Sequence, residues 1–366
     1  MLRALSNTKR SFMAADKNNR ETPTQNLAPV RRIASAQTQP RVVAITGAQS
    51  FLGRNLIGLF EESRRVARVI SLDTDSPATS GEKTRHYDID LTRDGVEESL
   101  FETLQSERVD TLVHVGFLPA PTHAVSWAHE LESVGTMHVL NACRRAQVRK
   151  VVMWSQTLLY GASPTNPNFL SESHPLRPNP FDPYCGDKVA AENEALHYGR
   201  PGRGRLLTIL RTAPILGPSV DNYHTRYFKH RFVPTVMGFD PLWQFLHEAD
   251  AVAAFKLAVD RDAPGVFNIV GDGVLPLSTA LKLAGGSRLP MPRTAAELAV
   301  GVLWAARGID IPTYFLDYLQ YLCVADGSKA KKLLGFAPVH TSREALIDFA
   351  NAQHLRDASL LAEATP

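Results

Sequence analysis

The 366-residue sequence predicts an α/β fold, a doubly wound parallel sheet carrying a smaller C-terminal lobe, and three observations predict it. The first is the run Arg41-Val42-Val43-Ala44-Ile45-Thr46, which breaks at Gly47 and reopens at Phe51 as an apolar-periodic helix, so it reads as strand, tight turn and helix. The second is a later apolar strand, Val66 to Leu72, that ends at Asp73, twenty residues beyond Gly53. The third is the alternation of β-type runs with helical patterns from Arg41 to about Arg211, as expected of a parallel sheet with helices on both faces.

The first turn has the chemistry of a dinucleotide site. There the first glycine makes the turn, amides at the helix N-terminus hold a pyrophosphate, and the last glycine lets helix and strand pack closely. Gly47 and Gly53 fill those two places, and Ser50, with Phe51 and Leu52 after it, stands in the middle place. Asp73 is then the carboxylate that would accept hydrogen bonds from the adenosine ribose of NAD, as in a Rossmann-type sheet. The bland alternative is an ordinary strand, turn and helix in a core.

Composition narrows the classes. A formal net charge of +3, with basic residues scattered beyond the N-terminus, gives no electrostatic footprint for nucleic acid. Cys143, Cys185 and Cys323 are odd in number and lack paired metal-ligand spacing, which argues against a disulfide framework or a zinc site and fits a reducing, cytoplasmic setting. The apolar stretch Ala295 to Ala306 contains Glu297 and is too short to span a bilayer of about 30 Å, so stable membrane insertion is not expected. As a helix it would cap the lobe or lie on a membrane surface. Residues 1–40 carry seven basic residues against two acidic ones with little periodicity and read as a disordered tail. The opening Met1-Leu2-Arg3-Ala4-Leu5-Ser6 also has the arginine-rich, acid-poor look of an organellar presequence.

Along the chain, Asp88-Ile89-Asp90-Leu91 follows a third strand; Asp90 and Leu91 would border an adenine, or Asp90 would cap a helix. Strands follow at Val109 to Val115, ending around His114, at Lys150 to Ser155 and at Leu206 to Leu210. After Arg211 the pattern turns irregular, and residues 212–245 and 273–322 are read as the substrate lobe. Segments of about 246–272, with a Val252 to Asp260 helix and a strand through Asn268-Ile269-Val270, and of about 323–350 return to the domain begun at residue 41. Arg226, Lys229 and Arg231 would meet substrate phosphates or form a solvated helix face.

The order of motifs resembles the extended short-chain dehydrogenase/reductase family, the group that includes NAD-dependent sugar-nucleotide epimerases and dehydratases. The resemblance covers residues 41 to about 350. It rests on Thr46-Gly47-Ala48 with Phe51-Leu52-Gly53, Asp73, the strand ending at His114, Gly135-Thr136 in a long helix, Tyr160-Gly161 and Tyr184-Cys185-Gly186-Asp187-Lys188. Arg211 with Gly217-Pro218, Phe245 to Asp250, Asn268 to Gly271, and Ser328-Lys329-Ala330 before Leu334 to Pro338 extend it. Four positions depart from the family pattern. Ser50 replaces the middle glycine, and Glu132 stands where such proteins place an asparagine that props the active-site helix. Ala213-Pro214 sits where an asparagine is common, and Gln156 holds the place of the catalytic Ser or Thr.

Tyr184 and Lys188, four apart, share a helix face. In such a site a phenol with an ordinary pKa near 10 needs a cation nearby to favour phenolate, and Lys188 beside an oxidised nicotinamide would supply it while also holding the cofactor. Tyr184 would then exchange a proton with a hydroxylated substrate, and the Gln156 amide would donate a hydrogen bond in place of the missing hydroxyl. The resemblance thus implies an NAD-dependent epimerase, dehydratase or dehydrogenase, with nucleotide sugars among the candidate substrates. It also implies a homodimer through the helices around Leu131 to Cys143 and Tyr184 to Leu196. Two other readings stand beside it. One is a non-catalytic NAD-binding sensor or scaffold, motivated by Ser50, Glu132 and Gln156. The other is a peripheral-membrane reductase of a lipid-like or sterol-like alcohol, motivated by Leu298 to Ala306 and Tyr314-Phe315-Leu316-Asp317-Tyr318.

Overall fold

The β-branched run forms β1 (Arg41–Thr46), and the chain turns at Gly47 into α1 (Phe51–Glu61). In the computed structural model, which describes residues 40–200, 204–309 and 311–363, there follow β2 (Val66–Asp73), β3 (Thr84–Asp88), α2 (Val96–Ser106) and β4 (Thr111–His114). Next come α3 (Val125–His129), a π-helical turn (Glu130–Val134), α4 (Gly135–Arg145), β5 (Lys150–Gln156), α5 (Pro183–Tyr198) and β6 (Leu206–Thr212). The expected tail lies outside the described residues, apart from Pro40.

One sheet of seven parallel strands runs in the order Gly265–Ile269, β6, β5, β4, β1, β2, β3. This is the expected Rossmann-type sheet, and its strand order reverses between β1 and β4, which places a ligand crevice at the carboxyl ends of those strands. Alternation along β1 explains why both faces are covered. Val43 and Ile45 point into the core with α1 and the helix Glu248–Asp260, whereas Ala44 points into the core with α2, α4 and α5.

The lobe has its own core, dominated by Tyr223, Tyr227, Phe228, Trp243, Phe245 and Phe315. Its ladder pairs Phe232–Val236 in parallel with Ser287–Met291. The apolar stretch near residue 300 forms the helix Arg293–Ala305, which buries Ala296 and Val300 while Leu298, Val302 and Leu303 face outward. Among the described residues no helix is long and apolar enough to cross a membrane.

Two of the differences from the sequence expectation bear on the site. The strand expected over Val109 to Val115 is trimmed to Thr111–His114, and the long helix through Leu131 to Cys143 is broken by the π-helical turn. The physical reason for the break is Glu132, whose side chain turns inward to accept from Leu118 N at 2.7 Å instead of facing water. The Thr136 hydroxyl then closes back onto the Glu132 carbonyl at 2.5 Å.

Candidate active site

The turn after β1 leaves no room for a side chain at Gly47 or at Gly53. Gly47 has φ +71°, and a Cβ there would lie 2.4 Å from Gly116 Cα; a Cβ on Gly53 would lie 2.2 Å from the Gly47 carbonyl oxygen. Ser50 needs no such freedom. It caps α1 at φ −61°, ψ 161°, and its hydroxyl accepts from Gly53 N at 3.0 Å. Phe51 and Leu52 supply first-turn amides that have no carbonyl behind them in the helix. At the end of β2, Asp73 accepts from Gln49 N at 2.8 Å and from Thr74 N at 2.8 Å, so the carboxylate is held against the glycine turn.

A cradle that any Cβ would fill, a helix N-terminus and a carboxylate one strand away fit an adenine dinucleotide pyrophosphate and ribose. Asp90 and Leu91, expected to border an adenine or, for Asp90, to cap a helix, lie just past β3. Asp90 accepts from the Thr92 hydroxyl and amide, which hold its carboxyl below the usual range. Leu91 is buried, close to where a Cβ on Gly135 or Gly116 would stand. His114 is wholly buried beside Thr46 Oγ1 at 2.6 Å and Thr136 Oγ1 at 2.9 Å. Burial pushes its imidazole down to about 3, so it is a neutral brace between β1 and α4.

The end of β5 meets the first turn of α5. Asp182 caps α5 by accepting from Cys185 N at 3.0 Å, and Pro183 starts the helix, so Tyr184 and Lys188 rise on the face turned toward the sheet. Gln156 Nε2 donates to the Tyr184 hydroxyl at 3.3 Å, and that hydroxyl donates to the Leu118 carbonyl at 3.1 Å. Lys188 Nζ sits 4.0 Å over the Tyr184 ring. The structure therefore brings Gln156, Tyr184 and Lys188 together.

Lys188, expected to serve the phenol, has an anionic partner as well. It is ion-paired with Glu132, both side chains being almost wholly buried. Burial first, and the Glu132 charge second, push the Tyr184 phenol well above its ordinary value. Burial likewise pushes the Glu132 carboxyl up, and its second oxygen has no hydrogen-bond partner among the described residues. The sequence marked Glu132 as a departure but gave no sign that its partner lies 56 residues away.

Beside this cluster opens a cavity of about 260 Å³. Gln49 to Leu52 form its wall at the cofactor end, Phe117, Trp154, Leu158, Ile215, Val220 and Tyr223 supply much of its apolar surface, and Arg54 and Asp221 are charged members of the lining. Gln156, Thr212, Asn222 and His224 add polar points. Tyr184 stands just behind this wall, its ring edge-on to Tyr223 at 5.7 Å. His224 is neutral, burial having pushed it down to about 3, and its Nε2 has no partner among the described residues. Of the cations expected at substrate phosphates or on a solvated helix face, Arg226 and Lys229 pair with Asp221, which itself lines the cavity, and Arg231 lies over the Phe232 ring. The sequence places Tyr223 in the substrate lobe but does not single out Trp154 or His224, because a wall assembled from five separate segments leaves no local pattern.

Comparison with known proteins gives one consistent answer. An uncharacterised protein of Mycobacterium tuberculosis is 32% identical over 314 residues, covering 85% of this chain and 83% of its own. A 3-diazoavenalumate denitrifying reductase of a Streptomyces species is 27% identical over 316 residues, covering 82% and 97%. A 4-hydroxy-2-methyl-3-oxo-4-farnesyl-3,4-dihydroquinoline-1-oxide ketoreductase of Stigmatella aurantiaca is 26% identical over 327 residues, covering 82% and 93%. Among solved structures, MoeE5 in complex with UDP-glucuronic acid and NAD shares the fold with a TM-score of 0.65 at 23% identity, covering 86% of this chain and 99% of its own. The profile of the NAD-dependent epimerase/dehydratase family matches residues 43–270, and the chain belongs to that family.

Proposed function

We propose that this NAD-dependent oxidoreductase interconverts a secondary alcohol and a ketone on a largely apolar, ring-bearing substrate, with Tyr184 as the acid/base group. The observation that carries the reading is the cavity. Its walls are mostly aromatic and aliphatic, with Arg54 and Asp221 as the charged residues of the lining, and Arg226 and Lys229, the cations that would meet substrate phosphates, are held by Asp221. The Stigmatella relative, named for a farnesylated ring ketone, supports the same class.

Gly47, Gly53 and the amides of Phe51 and Leu52 would hold the pyrophosphate, and Asp73 the adenosine ribose. Bound NAD supplies the hydride chemistry. The chain's own residues do the rest. Phe117, Trp154 and Ile215 exclude water and orient an apolar body, and the Gln156 amide orients the Tyr184 hydroxyl. Tyr184 exchanges a proton with the substrate oxygen once that oxygen takes the place of the Leu118 carbonyl.

The test is a turnover assay of the full chain with NADH against polycyclic and prenylated ring ketones, and with NAD against the matching alcohols and UDP-hexoses. The expected result is turnover of the apolar class, lost in Tyr184→Phe while NAD affinity stays within about threefold. Turnover of UDP-hexoses alone would sink the substrate class. NAD binding without turnover of any class would favour a sensor or scaffold.

A further inference from the structure

The ammonium that would stabilise a Tyr184 phenolate is already engaged. Lys188 Nζ is paired with Glu132 Oε1, the two side chains being 3% and 1% exposed. Its other neighbours are the Leu118 carbonyl at 3.4 Å and the faces of Tyr184 and Phe117. The same Glu132 oxygen accepts from Leu118 N at 2.7 Å. Glu132 therefore fixes both the cation and the backbone unit whose carbonyl receives the Tyr184 proton at 3.1 Å. In this arrangement Tyr184 is already a hydrogen-bond donor.

The other groups that face Tyr184 reinforce this. Gln156 reaches it from β5, Tyr223 packs on it from the helix Tyr223–Lys229, and Asp182 and Cys185 lie at the start of its own helix. None of these is a cation. Burial pushes the Asp182 carboxyl, the Cys185 thiol and the Tyr223 phenol up. Asp187, whose charge also acts on Glu132, is engaged by His129 Nδ1 at 2.6 Å.

We propose that Glu132 is a positioning residue that sets the direction of the proton: by neutralising Lys188 inside the fold it keeps Tyr184 a phenol, so the site is built to reduce a carbonyl. The inference rests on Tyr184 being the acid/base group. In that reaction the carbonyl carbon gains a hydride from reduced nicotinamide, and its oxygen gains the Tyr184 proton as the C=O π bond becomes C–H and O–H. The phenolate left behind is reprotonated from water. An asparagine at position 132 would leave the Lys188 charge uncompensated beside the ring, which favours phenolate and alcohol oxidation.

Ultraviolet tyrosinate titration of the full chain, with and without NAD, tests this without any substrate, using Tyr184→Phe as the blank. In the wild type the Tyr184 midpoint should lie above the ordinary value of about 10. Glu132→Gln, which keeps an acceptor for Leu118 N, should lower it by about 1–3 pH units, and Glu132→Asn should do the same. Adding Lys188→Gln to Glu132→Gln should restore the high midpoint, a result that a merely structural role would not give. A wild-type midpoint at or below the ordinary value overturns the proposal even if no variant folds. So do folded Glu132→Gln and Glu132→Asn variants whose midpoints do not move. Failure to find an apolar ketone substrate would bear on the proposed substrate class alone.

Discussion

At Asp73 one carboxylate serves the loop before it serves a ligand: its oxygens already accept from Gln49 N and Thr74 N, so its position does not depend on a bound ribose. A preset carboxylate favours the 2′-hydroxyl of NAD and repels the 2′-phosphate of NADP, and the next residue is Thr74 and not an arginine. Calorimetric titration should show NAD binding tighter than NADP, and Asp73→Ala should weaken NAD by about 1–3 kcal/mol. Equal affinity for both dinucleotides would contradict this. Gly47, Gly53 and Asp73 were legible in the sequence because the turn, the helix start and the strand end are local events with fixed residue chemistry. The Glu132 and Lys188 pair was not, because nothing local tells a buried carboxylate from a solvated one. The ion pairs of Arg226 and Lys229, residues read as phosphate contacts or as a solvated helix face, were hidden for a related reason. Their partner, Asp221, sits just ahead of their helix, where Asn222 caps it, and the helical pattern alone does not show that side chain folding back.

At the scale of elements, the strands of the parallel sheet and the helices α1 and α5 lie within a few residues of where periodicity put them, because their faces are buried and repeat. The π-helical turn escaped, since its cause is one inward carboxylate and not a pattern. The outer edge of the sheet is held by a charge cluster of the same unpatterned kind. Glu107, just past α2, takes hydrogen bonds from Arg68 on β2 and from Arg85 and Tyr87 on β3. Burial works against its ionisation, but the Tyr87, Arg85 and Arg68 bonds overcome it and hold the carboxyl at about 2, below its ordinary 4.5. A folded-state value below the unfolded one means that the stabilisation is fully present above about pH 4.5 and is lost as pH falls toward 2. Glu107→Gln should therefore lower the melting temperature at neutral pH, and the gap from wild type should shrink steadily below about pH 4.5 in thermal melts. A gap that persists unchanged at low pH would show that shape, and not charge, is what Glu107 contributes.

At the scale of the whole molecule, the sheet and the lobe are sewn together by chain that crosses between them more than once. Ser342 is fully buried, accepting from Phe245 N at 3.1 Å and lying 2.8 Å from the Gly273 carbonyl. Ala325, in the sheet core, donates its amide to the Gln244 side-chain oxygen at 3.1 Å, and Gly271, just past the strand that edges the sheet, donates its amide to the carbonyl of Phe245 in the lobe core at 3.0 Å. Leu176 and Cys323 pack against both the sheet core and the lobe core. Buried polar bonds of this kind cannot open on one side without leaving orphaned partners on the other, which couples the two cores. Scanning calorimetry should therefore show one unfolding transition and not two. Saturation with NAD at a hundred times its Kd should add about 2.7 kcal/mol to that single transition and raise its midpoint, while the same concentration of NADP should move it less. Two transitions, only one of which moves with NAD, would mean that the lobe folds independently of the sheet. The cavity wall would then form without help from the cofactor end.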